Sequence, residues 1–232
     1  MIMSEFEYID RNLKRIKEEA LQAAKISPYG QDFDILLATK YASAEEINHA
    51  YSLGFSKIGE NRVQSLLEKY DKLDKGLDIH FIGSLQRNKV KYIIDKVSMI
   101  ESLDSLELAK EIEKQAAKHD KIMDCLVEVN IGDEESKGGI SKNEVLSFID
   151  SLSEFSHIKV CGLMTMAPKC TEIDEYRKYF KESYNIFIDI CEKKLHNVSR
   201  QVLSMGMSDS FVPALMEGAN LIRVGRAAFN KE

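Results

Sequence analysis

Lys40 closes the apolar run Ile35-Leu36-Leu37-Ala38-Thr39, a segment patterned like a buried strand. An amine at such a strand end is partly desolvated and can attack an aldehyde as the free base, which is the chemistry of a Schiff-base lysine. Read alone, Lys40 fits better a structural lysine whose stem lies on apolar surface and whose head is in water or paired with Glu60. Towards the other end of the chain, Met205-Gly206-Met207-Ser208-Asp209 and Arg223-Val224-Gly225-Arg226 form two glycine-containing turns, each between an apolar run and a helical pattern. Turn N–H groups at a helix start can hold phosphate. Ser208 adds a hydroxyl, and Gly225 lets the backbone approach closely. As bare patterns, Gly225 also fits a plain turn glycine and Ser208 a helix N-cap.

An amine, an anion cradle and Arg223 on the last apolar run together meet the needs of pyridoxal 5'-phosphate (PLP): an aldehyde trap, a phosphate site and a partner for the pyridine nitrogen. An arginine there leaves that nitrogen unprotonated and weakens the electron sink of carbanion chemistry. Such a site suits holding PLP better than transforming amino acids.

The elements that must bring these residues together are repetitive. Short apolar runs at Asp34–Thr39, Lys57–Gly59, Ile79–Gly83, Val97–Ile100, Asp124–Asn130, Ile158–Met164, Gln201–Ser204 and Leu221–Val224 alternate with helical stretches. Capping boxes are expected at Ser43-x-x-Glu46, Asp104-x-x-Glu107, Ser141-x-x-Glu144 and Thr171-x-x-Asp174. Ahead of them, Phe6, Ile9, Leu13, Ile16 and Ala20 mark an amphipathic helix after a Ser4-x-x-Glu7 box. Alternation of this kind implies parallel strands with right-handed crossovers. Eight units without a linker point to an α/β chain of one domain, residues 1–232: a (β/α)8 TIM barrel with an extra N-terminal helix, residues 1–30, packed on it. Strand ends then surround one mouth, placing there Lys40, Glu60, Asn61, Ser84, Gln86, Glu101, Ser102, Asn130, Thr165, Met205, Ser208, Arg223 and Gly225.

The 232 residues carry a net charge of -6 with 44% apolar composition, which argues against a broad nucleic-acid or anionic-membrane footprint. The first residues lack a signal-peptide pattern, and no run is long enough to span a bilayer, so a cytoplasmic protein is expected. Cys125, Cys161, Cys170 and Cys191 include no CxxC pair, and no zinc or disulfide framework is supported. Cys125 and Cys161 read as inert core residues. Of five histidines only His80, inside a strand, invites a role beyond solvated surface or packing.

The stretches Leu37-Ala38-Thr39-Lys40-Tyr41, Ile58-Gly59-Glu60-Asn61-Arg62-Val63-Gln64, His80-Phe81-Ile82-Gly83-Ser84-Leu85-Gln86-Arg87-Asn88-Lys89, Glu135-Ser136-Lys137-Gly138-Gly139, Gly162-Leu163-Met164, Leu203-Ser204-Met205-Gly206-Met207-Ser208-Asp209 and Arg223-Val224-Gly225 occur in one order and spacing. In these motifs the chain resembles the PLP homeostasis protein family (the YggS/PROSC type) from about Asp34 to Phe229. The resemblance implies a PLP-binding barrel like the N-terminal domain of alanine racemase. It implies Lys40 as the Schiff-base residue, Arg223 at the pyridine nitrogen, and Ser208, Gly225 and the Arg226 N–H on the phosphate. Asn61 would lie near the ring hydroxyl and Met205 near a ring face. Thr39 replaces the serine often found before the lysine, and Arg226 stands where a small residue is common. A monomeric, non-catalytic PLP carrier supplying apo PLP-dependent enzymes is the expectation. A PLP-dependent racemase or decarboxylase, whose relatives need a further β-domain, and a PLP-independent Schiff-base aldolase are the rivals. Lys137, in the loop expected over the mouth, reads as part of a flexible loop or as a transient PLP acceptor.

Overall fold

In the computed structural model, residues 5–134, 137–192 and 195–231 are described. The strands are β1 (Asp34–Ala38), β2 (Lys57–Glu60), β3 (Asp78–Phe81), β4 (Met99–Leu103), β5 (Met123–Asn130), β6 (Ile140–Ser141), β7 (Ile158–Thr165), β8 (Val198–Ser204) and β9 (Leu221–Val224). The helices are α1 (Glu7–Ile26), α2 (Ala44–Ser52), α3 (Val63–Lys69), α4 (Leu106–Lys118), α5 (Val145–Ser151), α6 (Ile173–Glu192), α7 (Phe211–Met216) and α8 (Arg226–Phe229). Every pairing is parallel, and β1 pairs with both β2 and β9, which closes an eight-stranded barrel. The two-residue β6 sits outside the ring on the end of β5, with Val129 opposite Ile140. This is the expected (β/α)8 architecture.

The strand pleat explains how the core divides. Leu37, Ile58, Phe81, Ile100, Val127, Leu163, Leu203 and Ile222 pack outward against the helices in the main apolar cluster. Their alternates turn inward as two smaller clusters, Leu36 with Ile82 and Leu221, and Met99 with Leu126, Cys161 and Met164. Fully burying a Leu or Ile side chain contributes about 1.5–3 kcal/mol, so the outer layer is the main source of apolar stabilisation. Cys125 is buried in the outer layer and Cys161 in the inner one, and burial pushes both thiols up, Cys161 to about 11. The N-terminal α1 packs on α7, α8 and α2. Its Asn12 amide donates to the carbonyls of Ala228 (3.2 Å) and Asn230 (2.8 Å), which ties down the segment after β9.

Local signals met three fates. Ser43 and Glu46 form the full reciprocal box that opens α2. At α4 the cap is Ser105, whose hydroxyl accepts from the Leu108 N–H, one residue after the expected Asp104. Ser141 is taken by β6, which leaves Glu144 at the N-cap of α5 without a side-chain cap bond. Ser4 and the pair Glu135-Ser136 lie outside the described residues. β4 also starts at Met99 rather than Val97, because the Val97 N–H bonds back to Ile93 in the preceding helical turn. Among the described residues no helix is long and apolar enough to cross a membrane.

Candidate functional site

Barrel closure decides what meets at the mouth. Register between β1 and β9 places Leu37 opposite Val224, so Ala38 and Gly225 continue side by side at the strand ends. A Cβ on Gly225 would lie 2.8 Å from the Ala38 carbonyl oxygen and 3.1 Å from its Cβ, so only glycine permits this approach. The Ser208 hydroxyl accepts from the N–H groups of Gly225 (3.3 Å) and Ala227 (3.2 Å). Two backbone donors therefore converge on one point at the start of α8. Gly206, at φ +90°, lets the β8–α7 loop turn back so that its carbonyl accepts from the Arg223 N–H at 3.0 Å.

These groups face a cavity of about 680 Å³ whose lining includes Lys40, Asn61, Ser208, Arg223, Gly225 and Arg226. Six of the residues singled out from the sequence are thus brought to one place. Met205 is not among the lining residues. It is wholly buried in the main core, and the cavity's methionines are Met166 and the half-exposed Met207. The Arg226 side chain points to solvent and pairs with Asp209, which leaves its backbone at the cavity.

Lys40 departs from the expectation of a desolvated amine. The chain leaves β1 at Ala38, and two residues later Lys40 is exposed, with Nζ 4.8 Å from the centroid of the Tyr41 ring. Nor is it held by Glu60, whose carboxylate pairs with Lys69 at 2.6 Å and accepts from the Thr39 hydroxyl at 2.5 Å. Among the described residues Lys40 has no ion pair, and its amine stands at the rim against Tyr41.

Below the rim the barrel interior is polar. Arg223 is 5% exposed and donates to the Ser204 hydroxyl (2.6 Å) and the Thr165 carbonyl (2.8 Å). Ser204 in turn donates to Glu101 (2.6 Å), and Glu101 meets His80 Nδ1 at 2.7 Å. Burial opposes the His80 charge, but hydrogen bonds to Asp78 and Glu101 outweigh it and lift its pKa to about 9. Burial likewise opposes ionisation of Glu101, yet the His80 contacts hold its carboxyl below the usual range. Glu128 has the opposite fate. Burial, then the nearby Asp104 charge, pushes it up to about 7.

Sequence reasoning placed Glu101 and Thr165 at the mouth but passed over Ser204 and Glu128. The available signal was alternation: Asp124, Leu126, Glu128 and Asn130 share one face of β5, and an acid inside an apolar strand needs a reason to be there. Lys137 pairs with Glu134, and Asn130 exchanges hydrogen bonds with the Glu134 backbone, so β5 itself anchors that loop.

The alanine racemase N-terminal domain family model matches residues 7–231. A pyridoxal phosphate homeostasis protein of Aquifex aeolicus is 39% identical over 231 residues, covering 99% of each chain. The chain belongs to the pyridoxal phosphate homeostasis proteins of this family. Among solved structures, an unknown protein from Bifidobacterium adolescentis superposes with a TM-score of 0.92 at 27% identity, covering 99% of this chain and 97% of the other. PipY of Synechococcus elongatus, solved with PLP bound, superposes with a TM-score of 0.80 at 25% identity, covering 96% of this chain and 100% of the other. Both chains thus share the barrel with this one over nearly their whole lengths.

Proposed function

We propose that this chain holds PLP reversibly as a Schiff base on Lys40 and serves intracellular PLP supply, without strong catalysis of its own. The observation that carries the reading is one cavity lined by the exposed Lys40 amine, the Ser208 hydroxyl on which two backbone N–H groups converge, and the Arg223 guanidinium. The donor set fits the cofactor. The Gly225 approach leaves room where a Cβ would intrude, and the Ser208 hydroxyl with the N–H groups of Gly225 and Arg226 would take the phosphate. Arg223 would face the pyridine nitrogen as a fixed cation, Asn61 would stand by the ring hydroxyl, and Met166 with Met207 would supply the apolar contact expected of Met205. Bound there, PLP supplies an aldehyde that amines take up and give back. The PLP-bound relative and the homeostasis name of the curated relatives support the same reading.

The rest follows from the chain's own residues. An exposed Lys40 is open to exchange, and an open rim excludes water poorly, which limits any acceleration of substrate chemistry. Arg223 cannot give up its proton to strengthen the electron sink. Apo PLP-dependent enzymes are the proposed recipients. The test mixes PLP-loaded protein with an apo-enzyme while a scavenger removes free PLP. Activation faster than the measured release of PLP supports supply by transfer. Activation limited to the release rate reduces the role to storage, and rapid racemisation of added L-alanine would overturn the non-catalytic reading.

A further inference from the structure

The polar interior of the barrel is continuous from one end to the other. At the N-terminal strand ends a cavity of about 440 Å³ is lined by Asp34, Lys57, Asp78, His80, Ser98 and Asp124. From there Asp78 lies 3.5 Å from His80 Nε2, His80 Nδ1 lies 2.7 Å from Glu101, Ser204 donates to Glu101 at 2.6 Å, and Arg223 donates to Ser204 at 2.6 Å. One residue each from β3, β4, β8 and β9 supplies His80, Glu101, Ser204 and Arg223, and none exceeds 5% exposure.

Proton directions along this line are fixed by the chemistry of its ends. An ionised carboxylate only accepts and a guanidinium only donates, so the Ser204 hydroxyl gives its proton to Glu101 and receives from Arg223. His80 lies between two carboxylates, hydrogen-bonded to Glu101 through Nδ1 and ion-paired with Asp78 across 3.5 Å at Nε2, which favours the cationic ring. Charges then alternate in sign from Asp78 to Arg223, and no member can reverse its role without leaving another unmet. Arg223 has no direct ion pair among the described residues. Its orientation is set by a hydroxyl and a carbonyl, which are directional, whereas a carboxylate would accept over a wide arc.

We propose that Glu101 and Ser204 are positioning residues for Arg223, with His80 fixing Glu101, so that PLP retention at the mouth is set from the barrel interior. This rests on the PLP reading above. The test is a double-mutant cycle on PLP affinity, read together with the absorption maximum of the bound cofactor and the melting temperature of the unloaded protein. Ser204→Ala and Glu101→Gln should each weaken PLP binding roughly ten-fold or more, as expected when a hydrogen bond to a charged group is lost. Each should also shift the absorption maximum. In an Arg223→Ala background, Ser204→Ala should add less than about two-fold, because its route of action is already gone. Ser204→Cys, of similar volume, takes its place in the cycle if Ser204→Ala fails to fold. An unchanged affinity in the single variants overturns the proposal, and so does the same fold-loss in both backgrounds. Wild-type protein that takes up no PLP fails at an earlier step, overturning the cofactor reading and this inference with it.

Discussion

A guanidinium that is 5% exposed is tolerated only when its N–H groups are met, and Arg223 satisfies this with Ser204 and Thr165 while still lining the mouth. Burial pulls it down from its ordinary pKa, but Glu101 and Glu128 oppose that, and it stays charged. Arg223→Ala should therefore weaken PLP retention by roughly ten-fold or more, measured by equilibrium dialysis, while the borohydride-reducible band on Lys40 persists. No change in affinity would remove the assigned role. Glu128 carries the opposite balance, because its folded pKa of about 7 lies above that of an unfolded glutamate. Near pH 4 it is largely protonated in both states and little is lost. As pH rises to about 7 the folded protein must ionise a buried carboxyl, and stability falls. Glu128→Gln should stabilise the protein by about 1–3 kcal/mol at pH 8 and by little at pH 4, as read from denaturant unfolding. Lys40, Ser208, Arg223 and Gly225 were legible in the sequence because each ends a strand or opens a turn. Glu128 was passed over although it alternates with Leu126 on one face of β5; what the sequence does not show is its perturbation, which comes first from burial inside the barrel and then from Asp104 after a different strand.

Elements rather than residues decide the His80 network, since β3, β4, β8 and β9 must be in register for it to close. His80 has a folded pKa of about 9 against about 6.5 for free histidine, so its contribution is fully present below about pH 6.5 and is lost as pH rises through about 9. Wild-type stability should therefore fall between pH 6.5 and 9.5 by on the order of 3 kcal/mol more than that of His80→Gln, a difference open to urea unfolding at the two pH values. Parallel behaviour of the two proteins would contradict the assignment. At this scale the sequence was informative in kind and weaker in boundary. Eight strands were visible as apolar runs, but β4 began two residues late because Ile93, Ile94 and Val97 belong to a buried helical turn with the same apolar density. The Ser43 box held because nothing competes for Ser43, whereas Ser141 was drawn into pairing with Asn130.

Over the whole molecule, closing the ring is what turns scattered residues into a site: β1 and β9, at opposite ends of the chain, become neighbours and bring Lys40 beside Gly225. The alternation of runs implied that closure, since parallel strands with covering helices bury both faces only when the sheet is continuous. The exposure of Lys40 was not implied. The apolar run before it suggested a shielded amine, and only the path of the chain after Ala38 shows it turning to the rim beside Tyr41. That placement favours exchange over shielded chemistry and makes the lysine the point on which the account stands. The direct measurement is borohydride reduction of PLP-loaded protein followed by peptide mapping. One stoichiometric pyridoxyl adduct is expected on the peptide bearing Lys40, absent in Lys40→Ala. A main adduct on another lysine such as Lys137, or an undiminished one in Lys40→Ala, would contradict it.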